Sequence, residues 1–180
     1  VTPTTGLNHI DLKFCTQNDI KLVSLKGEFD FLKTITPTAE LTWGLLLSLV
    51  RNIPSAFDSV LGGEWNRDLY LGTELKGKTI GIVGYGRLGK MVGVYAKSFG
   101  MTVIYNDINL VSSEIDDEYC SLDDLLLKSD VITVHLPLEN ATTNLLNAEK
   151  ISKIKPGSVL INNSRGEVID ERSLLDALKS

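Results

Sequence analysis

Two histidines, two cysteines and five prolines are all that the 180 residues hold of those types. Cys15 and Cys120 stand far apart, with no CxxC and no histidine at ligand spacing. That argues against a disulfide framework and a metal site, and favours two reduced thiols in a cytoplasmic protein. Long apolar runs are lacking too: "WGLLLSLV" is far short of the roughly 20 residues of a spanning helix. The first residues, "VTPTTGLNHID", lack a cationic-then-apolar signal layout, and they lack an initiating Met, from which a fragment is expected. Nor is there an excess of cations. Eighteen Lys and Arg stand against 23 Asp and Glu, for a net charge of −5. The isoelectric point is near 5.1. This argues against a nucleic-acid or anionic-membrane partner, while leaving room for a local basic pocket around a small anion.

What is present is the composition of an ordinary globular protein, 43% apolar and 23% charged, long enough for one core and a piece of another. From Leu75 onward two periodicities alternate. "KTIGIV" reads as a strand, "RLGKMVGVYAKSFG" as a helix, "MTVIYND" as a strand, and "SLDDLLLKS" as a helix opened by Ser121. "DVITVHLP" is a further buried strand, "NAEKISKI" a short helix, "PGSVLINNSRG" a strand with its exit loop. "DERSLLDALKS" opens a helix with Asp170 as N-cap. Continuously apolar strands separated by helices predict a parallel sheet covered on both faces, a Rossmann-type doubly wound α/β domain.

Upstream, "TPTAELTWGLLLSLVRNIPSAFDSVLGG" predicts a long helix with Leu41, Leu45, Leu49 and Ile53 at helical spacing, kinked or split by Pro54. Before Pro37, "IKLVSL" is compatible with one strand and "GLNHIDLKF" with an irregular loop or short helix. This section, residues 1–36, is too small to close a core and reads as a remnant of a second domain. Residues 37–180 form the main one.

Within "KGKTIGIVGYGRLGK" three glycines follow a strand and open a helix. Glycine in regular structure costs roughly 0.5–1 kcal/mol relative to alanine, so the bare backbone needs a reason. Gly84 permits the tight turn, Gly86 lets a phosphate approach the main chain, and Gly89 lets the helix pack close to the sheet. The helix start offers N–H groups and a partial positive charge to a pyrophosphate. Asp107, closing the next strand, can accept hydrogen bonds from a ribose diol and repels a 2′-phosphate, which favours NAD over NADP.

These segments resemble the D-isomer-specific 2-hydroxyacid dehydrogenases, and within them the phosphoglycerate dehydrogenase branch. The resemblance runs in order through "TTGLNHID", "TAELTWGLLLSLVRNIPSA", "GGEWNRDLYLGTELKGKTIGIVGYGRLGK", "FGMTVIYND", "VHLPLENAT" and "INNSRGEVIDERSLLDAL". It implies an NAD-dependent oxidoreductase acting on CH–OH donors, interconverting a D-2-hydroxy acid and its 2-keto acid. The substrate expected is 3-phosphoglycerate first, with hydroxypyruvate or glyoxylate next. It also implies a cofactor domain inserted into a substrate domain. Residues 1–36 would be the last part of the substrate domain's first half, and the helix from Thr38 would lie on a homodimer interface. Thr5 and Gly6 match a loop whose main chain meets the substrate carboxylate. Arg87 and Leu88 match pyrophosphate contacts, Asp107 the ribose acid, and Leu136 and Pro137 the adenine side of the cleft. Tyr85, Asn163 and Ser164, inside the same motifs, are expected cofactor contacts.

Arg165 in "NNSRGE" is the expected catalytic residue, also touching cofactor and substrate. It lies past a strand's carboxyl end, where open α/β sheets bind ligands, and its fork suits a 2-keto acid's carboxylate. Gly166 lets the chain turn away behind it. The bland alternative is a surface arginine in an exit loop. His135 closes "VITVH" and is read as structural or cofactor-side. His9 is read as a hydrogen-bonded loop residue. The family's acid–base His and its partner Glu would lie past Ser180, so the 180 residues alone are expected to bind NAD but turn over poorly. The other reading is an NAD(H)-sensing interaction protein, resembling co-repressor relatives of the same fold.

Overall fold

A computed structural model of the chain describes residues 1–109 and 115–179. Two compact units form, Val1–Thr36 and the part from Pro37 onward. The first has two short helices, α1 (Leu12–Gln17) and α2 (Phe29–Leu32). Asp11 caps α1 by accepting the Phe14 N–H at 2.9 Å. Leu32 is this unit's one buried apolar side chain. "IKLVSL" is not a strand. Thr2 N–H donates to Val23 O and Leu25 N–H to Thr4 O, but these two bonds do not extend into a strand ladder.

In the second unit the expected long helix is two, α3 (Pro37–Val50) and α4 (Ile53–Leu61). Pro54 removes one donor and its ring would collide with the Val50 carbonyl. That carbonyl instead accepts the Thr73 N–H at 2.7 Å, and Asn52 breaks the helix in the left-handed region at φ 53°. On α3 the buried face is Ala39, Thr42, Trp43, Leu46 and Val50. The periodic stripe Leu41, Leu45, Leu49 and Ile53 faces outward, each residue more than two-fifths exposed.

The sheet comprises β1 (Thr79–Val83), β2 (Thr102–Asn106), β3 (Asp117–Tyr119), β4 (Val131–Val134) and β5 (Val159–Asn162), in the order β3-β2-β1-β4-β5. Every pairing is parallel. Helices α5 (Arg87–Ser98), α6 (Leu122–Lys128), α7 (Ala148–Ile151) and α8 (Glu171–Ala177) connect or follow the strands. Ser121 caps α6 and Asp170 caps α8, as their sequence positions predict. Strand β3 was not foreseen: "DEY" is a three-residue polar edge, and an edge strand needs no apolar run.

Alternating strand residues feed two cores. Ile80 and Ile82 of β1 join Trp43, Leu46, Val92 and Ala96 beneath α3 and α5. Val83 joins Leu125, Leu126, Ile132 and Leu146 on the opposite face. Trp43 stacks on Phe99 with ring centroids 4.5 Å apart, fastening α3 over the end of α5. The sheet is therefore covered on both sides, and its strand ends are the exposed edge left for chemistry. No helix of the described residues is long and apolar enough to cross a membrane.

Candidate functional site

Register places the site before any side chain does. Val83 pairs with Asn106 on one side and Val134 on the other, and Val134 pairs with Asn162. The carboxyl ends of β1, β2, β4 and β5 thus stand level. The glycine loop follows β1, Asp107 follows β2, His135–Pro137 follow β4, and Asn163–Arg165 follow β5. Strand order reverses between β1 and β4, which is the crevice where doubly wound sheets hold dinucleotides.

The three glycines have three different surroundings. Gly84 has φ +90°, and a Cβ there would meet the His135 carbonyl oxygen at 2.7 Å and Leu136 at 2.8 Å. At Gly89 a Cβ would stand 2.3 Å from the Gly84 oxygen. At Gly86, the exposed N-cap of α5, nothing lies within 4 Å. Helix and loop are jammed together at the first and third glycine, and the second opens to solvent. Having no side chain, Gly86 cannot cap the helix's first N–H groups, which are directed at any anion placed there. This open cradle fits a pyrophosphate. Arg87 and Leu88, half-buried, begin the helix beside it.

Asp107 lies against the loop. Its Oδ2 accepts the Tyr85 N–H at 2.7 Å and its Oδ1 the Asn109 N–H at 3.1 Å. A carboxylate offers about four lone-pair directions, so both oxygens can still accept from a diol. Leu136 lies against the loop, its Cδ2 2.8 Å from where a Cβ on Gly84 would stand, and Pro137 follows it in the chain.

Two expected cofactor contacts have side chains elsewhere. Tyr85 is fully buried, its ring stacked on Tyr105 at 4.1 Å, so it presents only main chain to the loop's outer surface. Asn163 turns to α3, where its Nδ2 donates to Thr38 O at 3.1 Å and Thr42 Oγ1 at 2.8 Å. The alternation of β5 carries it to that face, and the burial of its Oδ1 keeps it from the cleft. Ser164 is engaged within its own loop. Its N–H and hydroxyl donate to Asn162 Oδ1 at 3.0 and 2.7 Å.

Asn162, not singled out from sequence, braces the segment that carries Arg165: its Nδ2 donates to the Arg165 carbonyl at 2.9 Å. The doubled asparagine after a strand was the available signal, since Asn side chains close turns on nearby backbone. Arg165 is exposed. Its Nη1 donates to Ser164 O at 2.7 Å, the one hydrogen bond of this guanidinium among the described residues, and the remaining donors of its fork can take a carboxylate. Thr5 and Gly6 lie in a loop of the first unit, where Thr4 Oγ1 donates to Gly6 O at 2.8 Å. His9 Nε2 lies 3.4 Å from Thr2 Oγ1.

His135 has the most altered chemistry. Its Nε2 is buried with no partner among the described residues, and burial pushes the imidazole down from 6.5 to about 4. The ring is neutral at physiological pH and suited to packing rather than proton delivery.

With this geometry in view, the comparisons decide the family. Residues 43–180 match the model of the D-isomer specific 2-hydroxyacid dehydrogenase, NAD binding domain. The chain belongs to that family. A D-3-phosphoglycerate dehydrogenase of Bacillus subtilis is 42% identical over 97% of this chain and 33% of its own length. A hydroxypyruvate reductase of Thermotoga maritima is 35% identical over 97% of this chain and 56% of its own. The D-lactate dehydrogenase of Aquifex aeolicus, solved with NAD and lactic acid, superposes with a TM-score of 0.83. It is 35% identical, covering 98% of this chain and 52% of that one. The chain thus spans a third to just over half the length of these relatives. Its larger unit is a Rossmann-like NAD-binding domain, and its cofactor is NAD.

The imidazole's environment has a measurable consequence. Between pH 6.5 and about 4, the unfolded chain binds a proton that the folded chain refuses. Stability is therefore complete above pH 6.5 and falls as pH drops toward 4, by at most about 3 kcal/mol. Asp123, Asp130 and Glu149, held below the ordinary carboxylate range by lysines, begin to lose their contribution as pH falls through the ordinary carboxylate values, the upper of which is 4.5. Urea unfolding of the parent and of His135→Asn between pH 6.5 and about 5 should therefore show the slope in the parent alone. Equal slopes would contradict the buried neutral ring.

Proposed function

We propose that this chain is the cofactor-binding part of an NAD-dependent dehydrogenase that interconverts a D-2-hydroxy acid and its 2-keto acid. The observation that carries the reading is the glycine cradle, closed at Gly84 and Gly89, open at Gly86, and flanked by Asp107. Gly86, Arg87 and Leu88 hold the pyrophosphate against the start of α5, and Asp107 takes the ribose diol. Leu136 and Pro137 line the adenosine side. NAD, when bound, supplies the hydride acceptor or donor. Arg165 then has one task, to hold the substrate carboxylate and draw charge from the adjacent carbonyl. Thr5 and Gly6, in the first unit, are assigned main-chain N–H contacts to a substrate carboxylate by the family resemblance of their loop. In this reading residues 1–36 are the end of the first half of a substrate domain and residues 37–180 the cofactor domain. The relatives named phosphoglycerate dehydrogenase and hydroxypyruvate reductase support three-carbon hydroxy acids as the substrate class. Both cysteines are free thiols, which accords with a reducing cytoplasm.

Two variants separate the roles. Asp107→Ala should weaken NADH binding about tenfold or more, since hydrogen bonds to a charged group are worth roughly 1.5–3 kcal/mol, and should narrow the preference for NADH over NADPH. Arg165→Ala should bind NADH nearly as the parent does, yet abolish hydroxypyruvate reduction in the complete enzyme. NADH fluorescence titration and absorbance assays read both. Asp107→Ala binding like the parent would refute the assignment.

A homodimer is part of the proposal. Leu41, Leu45, Leu49, Ile53 and Phe57, each between 41% and 62% exposed, continue into Trp65 at 89%. Exposed apolar side chains recurring along one helical stripe are the kind of surface that marks a protein interface. Sedimentation velocity should give a dimer that Leu45→Lys with Leu49→Glu converts to monomer; a monomeric parent would overturn this.

A further inference from the structure

Tyr85 stands between the first two glycines of the cradle, where the chain turns toward solvent, yet it is 0% exposed and the largest of the fully buried side chains. Its ring turns back under the loop onto Tyr105 of β2, which in turn meets Tyr119 of β3 edge-on at 5.7 Å. Phenylalanine would fill that stack equally well. The hydroxyl is accommodated separately. It donates to Asp117 Oδ2 on β3, and a Cβ on Gly93 of α5 would lie only 2.8 Å from it. A glycine inside a helix costs about 1 kcal/mol against alanine, and a buried hydroxyl without a partner costs roughly 1–3 kcal/mol. The slot at Gly93 and the carboxylate at Asp117 therefore admit tyrosine in particular.

The same residue's main chain makes the bond that matters for the cofactor, Tyr85 N–H to Asp107 Oδ2 at 2.7 Å. We propose that Tyr85 is a positioning residue for the nucleotide site: its hydroxyl, latched to Asp117 on the edge strand, holds its peptide N–H on Asp107 and so fixes the carboxylate that receives the ribose. The edge strand thereby acts on cofactor choice without touching the cofactor. A carboxylate held from two sides cannot swing away from a 2′-phosphate, so the latch sharpens the preference for NADH over NADPH. The inference rests on the NAD-binding reading above and assigns that site a further specificity residue.

The test is a double-mutant cycle on the 180-residue chain, read by NADH and NADPH titration. Tyr85→Phe keeps the stack and loses the latch. It should weaken NADH roughly fivefold, the scale of one hydrogen bond, with less effect on NADPH. Asp117→Ala should do the same, the double variant should add nothing further, and Asp117→Asn, which keeps an acceptor oxygen, should recover affinity. A structural role alone would lower the melting temperature and leave the NADH to NADPH ratio unmoved. Parent-like affinity and ratio in Tyr85→Phe, or additive losses in the double variant, overturn the proposal. Hydrogen exchange at the Tyr85 amide provides a readout free of any ligand. Its protection should fall in Tyr85→Phe and Asp117→Ala, and unchanged protection overturns the latch. If the parent takes up no NADH while this protection does fall, the latch stands and the functional reading is what fails.

Discussion

A carbonyl oxygen 2.3 Å from where a side chain on Gly89 would begin is the constraint from which the site follows. It records how closely α5 returns to the loop that launched it. That approach brings the helix's first turn to the carboxyl edge of the sheet, and the +90° φ of Gly84 is the turn that makes it possible. Larger residues at either glycine would push the helix outward and carry its N–H groups away from the crevice. Gly86 differs because no packing demands it; the space around it is open. Packing at two glycines creates the vacancy beside the third.

The alternating periodicities from Leu75 onward made the sheet legible, because central strands buried on both faces are mostly apolar, as β1 and β4 are apart from one threonine in each. Caps at Ser121 and Asp170 were legible for the same local reason: their side chains bond N–H groups two or three residues away. Strand β3 was hidden because an edge needs little hydrophobicity. The stripe Leu41–Leu45–Leu49–Ile53 announced a helix but named its outward face. Leucine lies on nearly every side of α3, so periodicity alone did not single out the side carrying Trp43 and Leu46.

At the site, backbone requirements were read better than side-chain directions. The glycines and Asp107 follow from strand, turn and helix in succession. Tyr85 and Asn163 belong to the right motifs yet point into the protein, because alternation along β5 and the aromatic stack on β2 decide their direction. Those relations span many residues of sequence, 121 between Asn163 and Thr42. Inward residues of this kind hold the loops that outward residues use. Asn162 steadies the segment bearing Arg165, and Asn163 ties it to α3.

The central claim is that a dinucleotide lies with its pyrophosphate on the main chain of Gly84–Gly89. Amide chemical-shift mapping of the isotope-labelled chain during NADH titration addresses it most directly. The account requires saturable shifts concentrated at Gly86, Arg87, Leu88 and Asp107. Saturable shifts centred elsewhere, such as the hollow between Val60 and Tyr70 beside α4, or no shifts at all in a folded sample, would contradict it.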